Sequence, residues 1–146
     1  MDYEIRSVLN DYLNNVSDIY KTVSDWLKEK SLLTQKQSIE IFEEASGKYI
    51  IDKLIISHDQ YKQIAEIQPV GAWIIGGRGR LDLIGKLDQH ILIYLNKNGD
   101  YHTYSLYKEI NQDGWYWIDN KSVGKAHILD KKLFFRLIAE VSDYEF

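Results

Sequence analysis

The sequence predicts an α+β domain: N-terminal helices, a central, mainly antiparallel meander sheet of about 5 strands, and a C-terminal helix. Three observations predict it. A long stripe of apolar residues at helical spacing opens the chain, a run of short β-rich segments punctuated by turn residues fills its middle, and a second helical stripe closes it.

In the first segment Ile5, Leu9, Tyr12, Val16, Ile19, Val23 and Trp26 recur at alternating spacings of four and three, which is one face of a helix. Leu13, Tyr20 and Leu27 widen that face beyond a two-stranded coiled-coil seam, so the helix wants a sheet or several helices to cover it. At ~1.5 Å per residue it runs roughly 40 Å. Asn14 and Asn15 are weak interior residues, and a break there is the alternative.

Thr34 with Gln37 has the form of a capping box, which predicts a second helix with Ile39, Phe42 and Ala45 on its buried side and Gly47 as its left-handed cap. "YIIDKLIIS" then reads as β, while "HDQYKQ" carries no deciding pattern. Pro69 breaks the chain. Beyond it, "AWII", "RLDLIG", "HILIYL", "YSLYKEI" and "WYWID" are the strand candidates, with Asn98-Gly99 and Asp113-Gly114 as tight hairpin turns. Asp130 caps the last helix, whose stripe is Leu133, Phe134, Leu137, Ile138 and Val141.

Length and composition narrow the function classes. A chain of 146 residues fits a single domain, 1–146, able to bury a core without staples. With no cysteine there is neither a disulfide framework nor thiolate chemistry, and with no basic-then-apolar start a cytoplasmic location is expected. No apolar run approaches the ~20 residues of a membrane span. A net charge of −4 makes general attraction to nucleic acid unfavourable, because such binding rests on cations neutralising phosphates. Eleven tyrosines and four tryptophans suit pleated sheets and binding surfaces equally.

The stretch "GAWIIGGRGRLDLIG" raises the question of a phosphate cradle. A cradle needs a helix after the glycines, and here the alternating "RLDLIG" follows, without G-x-G-x-x-G spacing or a Lys-Ser/Thr pair. Gly76, Gly77 and Gly79 therefore read as a hairpin or bulge that needs positive φ. Arg78 and Arg80 stand beside it, offering forked donors to a carboxylate or phosphate, or pairing with Asp82 or another acid. His58, His90, His102 and His127 have no metal-ligand spacing, and no metal or cofactor is expected. No nucleophile signature occurs, and Asp82, Asp88, Glu109, Asp113 and Asp119 read as solvated acids. A loose nuclease-like set of Asp82, Glu109 and Lys108 can be drawn around the sheet.

The functional expectation is a non-enzymatic cytoplasmic interaction module, of inhibitor or immunity type, binding another protein through an aromatic and charged sheet face or the first helix. Arg78, Arg80, Trp115 and Trp117 are its expected contact residues, the two tryptophans sharing one face of a strand. The alternative is a small anion-handling enzyme or ligand-binding domain in which Arg78 and Arg80 hold a phosphate or carboxylate. A third reading is a homo-oligomer built through the stripe of the first helix.

Overall fold

The computed structural model describes residues 2–59, 62–97, 107, 110–121 and 125–146. Helix α1 (Tyr3–Lys28) is followed by β1 (Leu33–Glu43), β2 (Gly47–Asp59), β3 (Lys62–Gly71), β4 (Arg80–Gly85), β5 (Gln89–Leu95), β6 (Gly114–Ile118), β7 (Ala126–Ile128) and α2 (Lys131–Val141). The seven described strands form one sheet in chain order, each antiparallel to the next. This is the predicted α+β arrangement with more strands than the expected five.

Helix α1 starts where the Asp2 carboxylate accepts the Glu4 N–H at 2.7 Å, and it continues unbroken through Asn14 and Asn15. The Asn15 carbonyl instead accepts the indole N–H of Trp115 at 3.1 Å. The helix closes with Ser31 in the left-handed region (φ 58°), with Leu32 N–H donating to Leu27 O and Ser31 N–H to Lys28 O, both at 3.0 Å. Its buried stripe is Leu9, Tyr12, Val16, Tyr20, Val23 and Leu27, of which Tyr12 to Leu27 join the core that the sheet contributes to. That orientation gives most of the stripe an intrachain partner in the sheet.

Helix α2, capped by Asp130 as expected, lies on the same face of the sheet. Phe134, Leu137 and Ile138 join Leu54, Ile67, Leu81, Leu83 and Leu92 in one core, and Trp26 of α1 meets Phe134 with ring centroids 5.8 Å apart. Each such fully buried side chain contributes about 1.5–3 kcal/mol. On the opposite face of β5 and β6, Ile93, Leu95 and Tyr116 form a smaller cluster with Tyr107 and Ile110 against it.

The segment after Thr34 is strand β1, not a helix. Ile39 and Ile41 alternate on one face opposite Ile51 and Tyr49, and this long ladder with the isoleucine-rich β2 outweighs a local capping pattern. Gly47 is left-handed (φ 77°) as predicted, but it starts β2 after the turn rather than capping a helix. Phe42, expected to be buried, is 68% exposed.

Pro69 does not break the chain. It lies inside β3 opposite Leu81, beyond the point where β2 pairs with β3, since that ladder ends at Leu54↔Ile67. The hydrogen bond proline cannot donate is therefore not required there. At this divergence the Tyr20 hydroxyl donates to Asp52 O at 2.8 Å and lies 3.3 Å from Ile67 O, stitching the two strands.

"AWII" is a loop with a lone bridge, Ile74↔Gly77, rather than a strand. Strand β7 was not foreseen, because its three residues are too few for alternation to register. Gly114 opens β6, and the Asp113 carboxylate beside it accepts the Lys97 N–H at 2.7 Å. The Asn98-Gly99 turn, most of "YSLYKEI", His102, Lys108 and Glu109 lie outside the described residues. Among the described residues no helix is long and apolar enough to cross a membrane.

Candidate functional site

Between β3 and β4 the chain makes a tight excursion through residues 72–79, and its shape follows from its glycines and the groups that seize its backbone. Gly76 (φ 84°) and Gly79 (φ 142°) occupy backbone space that L side chains rarely enter, so these two serve a turn as the sequence implies, whereas Gly77, read the same way, has no positive φ and is small because Ile93 packs where its Cβ would be. No helix follows Arg80; β4 does. Gly79 is also held close under Tyr12, where a Cβ would sit 2.3 Å from the ring.

The excursion is fastened at both ends. The Glu43 carboxylate, at the end of β1, accepts the N–H groups of Ala72 (3.0 Å) and Trp73 (3.2 Å) and the hydroxyl of Tyr49. On the other side Arg78 N–H donates to Tyr94 O at 2.8 Å, and Tyr94 N–H donates to Gly79 O at 3.0 Å. The Tyr12 hydroxyl donates to Arg80 O at 2.8 Å. Burial raises the pKa of Tyr12, Tyr20 and Tyr49 well above the usual tyrosine range, and for Tyr49 the bond to Glu43 adds to the effect.

What this framework displays is Ile75, 87% exposed at the tip. Beside it an open groove of about 1000 Å³ runs between the loop and the start of α1, lined by Ile5, Val8, Trp73, Ile74 and Arg78 with the exposed Tyr3 at its mouth. The Arg78 guanidinium is 3.6 Å from the Asp11 carboxylate on the groove wall.

The two arginines do not converge. Arg80 stands on β4 opposite Ile93, on the sheet face away from the helices, and its fork closes on Asp82 through Nε (2.8 Å) and Nη2 (3.1 Å). The hydrogen bond to Asp82 raises the Arg80 pKa further. His90 lies on the helix-facing side, next to Leu92, and joins neither arginine.

Trp115 and Trp117 do share the helix-facing side of β6, with different exposure. Trp115 is buried, its indole bonded to α1 and its ring edge-on to Tyr94 at 5.5 Å, so it is a core residue rather than a contact residue. Trp117 is half-buried at the rim of a second cleft, about 610 Å³, between β6, β7 and α2. His127 stacks on it at 5.3 Å and the Arg136 guanidinium lies 5.2 Å from its ring. Its indole N–H donates to Nδ1 of His90, which leaves Nε2 of the neutral ring to donate to Glu140 at 3.0 Å.

His127 is 3.9 Å from Asp119, and the described lining of this cleft holds no serine, threonine or lysine to act as a nucleophile. Asp88, Asp113 and Asp119 each accept a nearby backbone N–H. His58 stands apart with Asp59 and Tyr144. Among the described residues no three potential ligands gather as a metal site.

Sequence reasoning missed Glu43, Tyr49 and Ile75. Glu43 fell in a segment read as helical and Ile75 in one read as a strand, so neither showed its reach or exposure. In comparisons with known proteins the chain matches no protein-family model, no curated protein and no solved structure at a significant level.

Proposed function

We propose that this chain is a non-enzymatic protein-interaction module whose contact centre is the Ile75 knob and the groove beside it. The observation that carries the reading is an isoleucine 87% exposed at the tip of a turn whose flanking backbone is hydrogen-bonded on both sides. A scattered exposed apolar residue needs no explanation, but Ile75 adjoins a groove with Tyr3 (86% exposed) at its mouth. A loop already ordered in the free protein loses little conformational freedom on docking, which favours affinity.

The complementary partner is a protein with an apolar pocket for Ile75 and a polar rim to meet Glu4, Asp11 and Arg78, which bring charges of both signs to the groove lining. An inhibitor-like role, with the knob filling a partner's own pocket, fits a fastened loop best. A cysteine-free chain needs no oxidising compartment, and the cytoplasm is the proposed location.

The test compares wild type with Ile75→Asp as baits in quantitative capture from the source cell, followed by affinity measurement on the captured protein. Loss of at least roughly 30-fold in affinity with an unchanged thermal melt is expected of a knob at the centre of an interface. Undiminished binding by the variant would retire the knob as the contact centre.

A further inference from the structure

We infer that the outer edge of β1 is a self-pairing surface, joining two copies of this chain through an antiparallel β1–β1 ladder with its two-fold axis at Ser38. The edge is long, and among the described residues no strand pairs with it. β1 is an end strand of the sheet, eleven residues long, and its ladder with β2 runs from Leu33↔Ser57 to Glu43↔Gly47 without a bulge. It contains no proline. Such an edge presents a row of unshared N–H and C=O groups, the usual template for another strand.

The charges select the occupant. Lys36 and Glu40 lie on the same face of β1, both exposed, and are symmetrically placed two residues either side of Ser38. In a two-fold ladder centred on Ser38, Lys36 of each copy falls opposite Glu40 of the other, giving two opposite-charge cross-strand pairs. Centring the ladder on Lys36 or on Glu40 sets like charges face to face, and centring it on Gln37 or Ile39 pairs neither charge with its opposite. The same register sets Thr34 against Phe42, which is 68% exposed in the single chain. The small Ser38 side chain sits on the axis itself. This surface is separate from the Ile75 knob, so the two readings stand or fall independently.

The experiment is a charge swap read by analytical ultracentrifugation, with circular dichroism to verify folding at these exposed positions. Wild type is expected to sediment as a dimer at micromolar concentration. Lys36→Glu alone and Glu40→Lys alone each make both cross-strand pairs repulsive and should weaken the dimer by at least roughly tenfold. The double variant K36E/E40K reverses both pairs and should regain wild-type association. An equimolar mixture of the two single variants should dimerise again, because each chain then carries the charges the other needs. A monomeric wild type, including one that pairs only with a foreign strand, overturns the inference, as do single variants that dimerise like wild type or a mixture that stays monomeric.

Discussion

Tyr12, Tyr20 and Tyr49 are the residues in which burial, hydrogen bonding and titration meet. Their hydroxyls donate to Arg80 O, Asp52 O and Glu43 respectively, bonds that a phenolate cannot make. With folded pKa values raised above the ordinary ~10, the stabilisation they give is complete below about pH 10 and is lost as pH rises through the folded values. An alkaline titration should therefore show early ionisation of exposed tyrosines, with these three appearing only as the far-ultraviolet dichroism collapses. Ionisation of all eleven in one step near pH 10 with the fold intact would contradict it. At this scale the sequence was partly legible. The left-handed glycines and the Arg80–Asp82 pair follow from local rules, since each concerns residues a few positions apart. Glu43 does not, because its backbone partners lie 29 and 30 residues further on and nothing near it marks that reach.

Elements with a full period were legible, and those without were not. Helices α1 and α2 carry unbroken stripes, β4 alternates apolar and charged residues, and β5 and β6 are short runs of β-branched and aromatic residues, so all five could be read directly. Strand β1 was lost because Thr34 and Gln37 satisfy a helix-start spacing while the alternation of Ile39 and Ile41 covers only its second half. The knob was lost with "AWII", whose apolar residues mimic a strand although a single bridge is all the backbone makes. The close of α1 offers a direct test of local backbone strain. Ser31 occupies the left-handed position of a closure that glycine fills best, and Ser31→Gly should raise unfolding stability by about 1 kcal/mol in chemical denaturation. A neutral or destabilising result would mean that the serine side chain compensates for its backbone.

Across the whole molecule, Glu43 couples the β1–β2 hairpin to the loop between β3 and β4 at the place where β2 and β3 part. Removing the carboxylate leaves two amides and a half-buried phenol to be resolvated. Glu43→Ala should cost about 2–3 kcal/mol and speed hydrogen exchange at the Ala72 and Trp73 amides well ahead of those in β4 and β5. Uniform acceleration throughout the sheet would indicate global loosening instead of a released tether. Among the described residues the sheet also ends unequally, with eleven residues along β1 and three along β7. A stub of three residues is a poor template, so strand-by-strand growth can proceed from one side and stops once two copies have met. By this asymmetry the molecule is protected from becoming a filament.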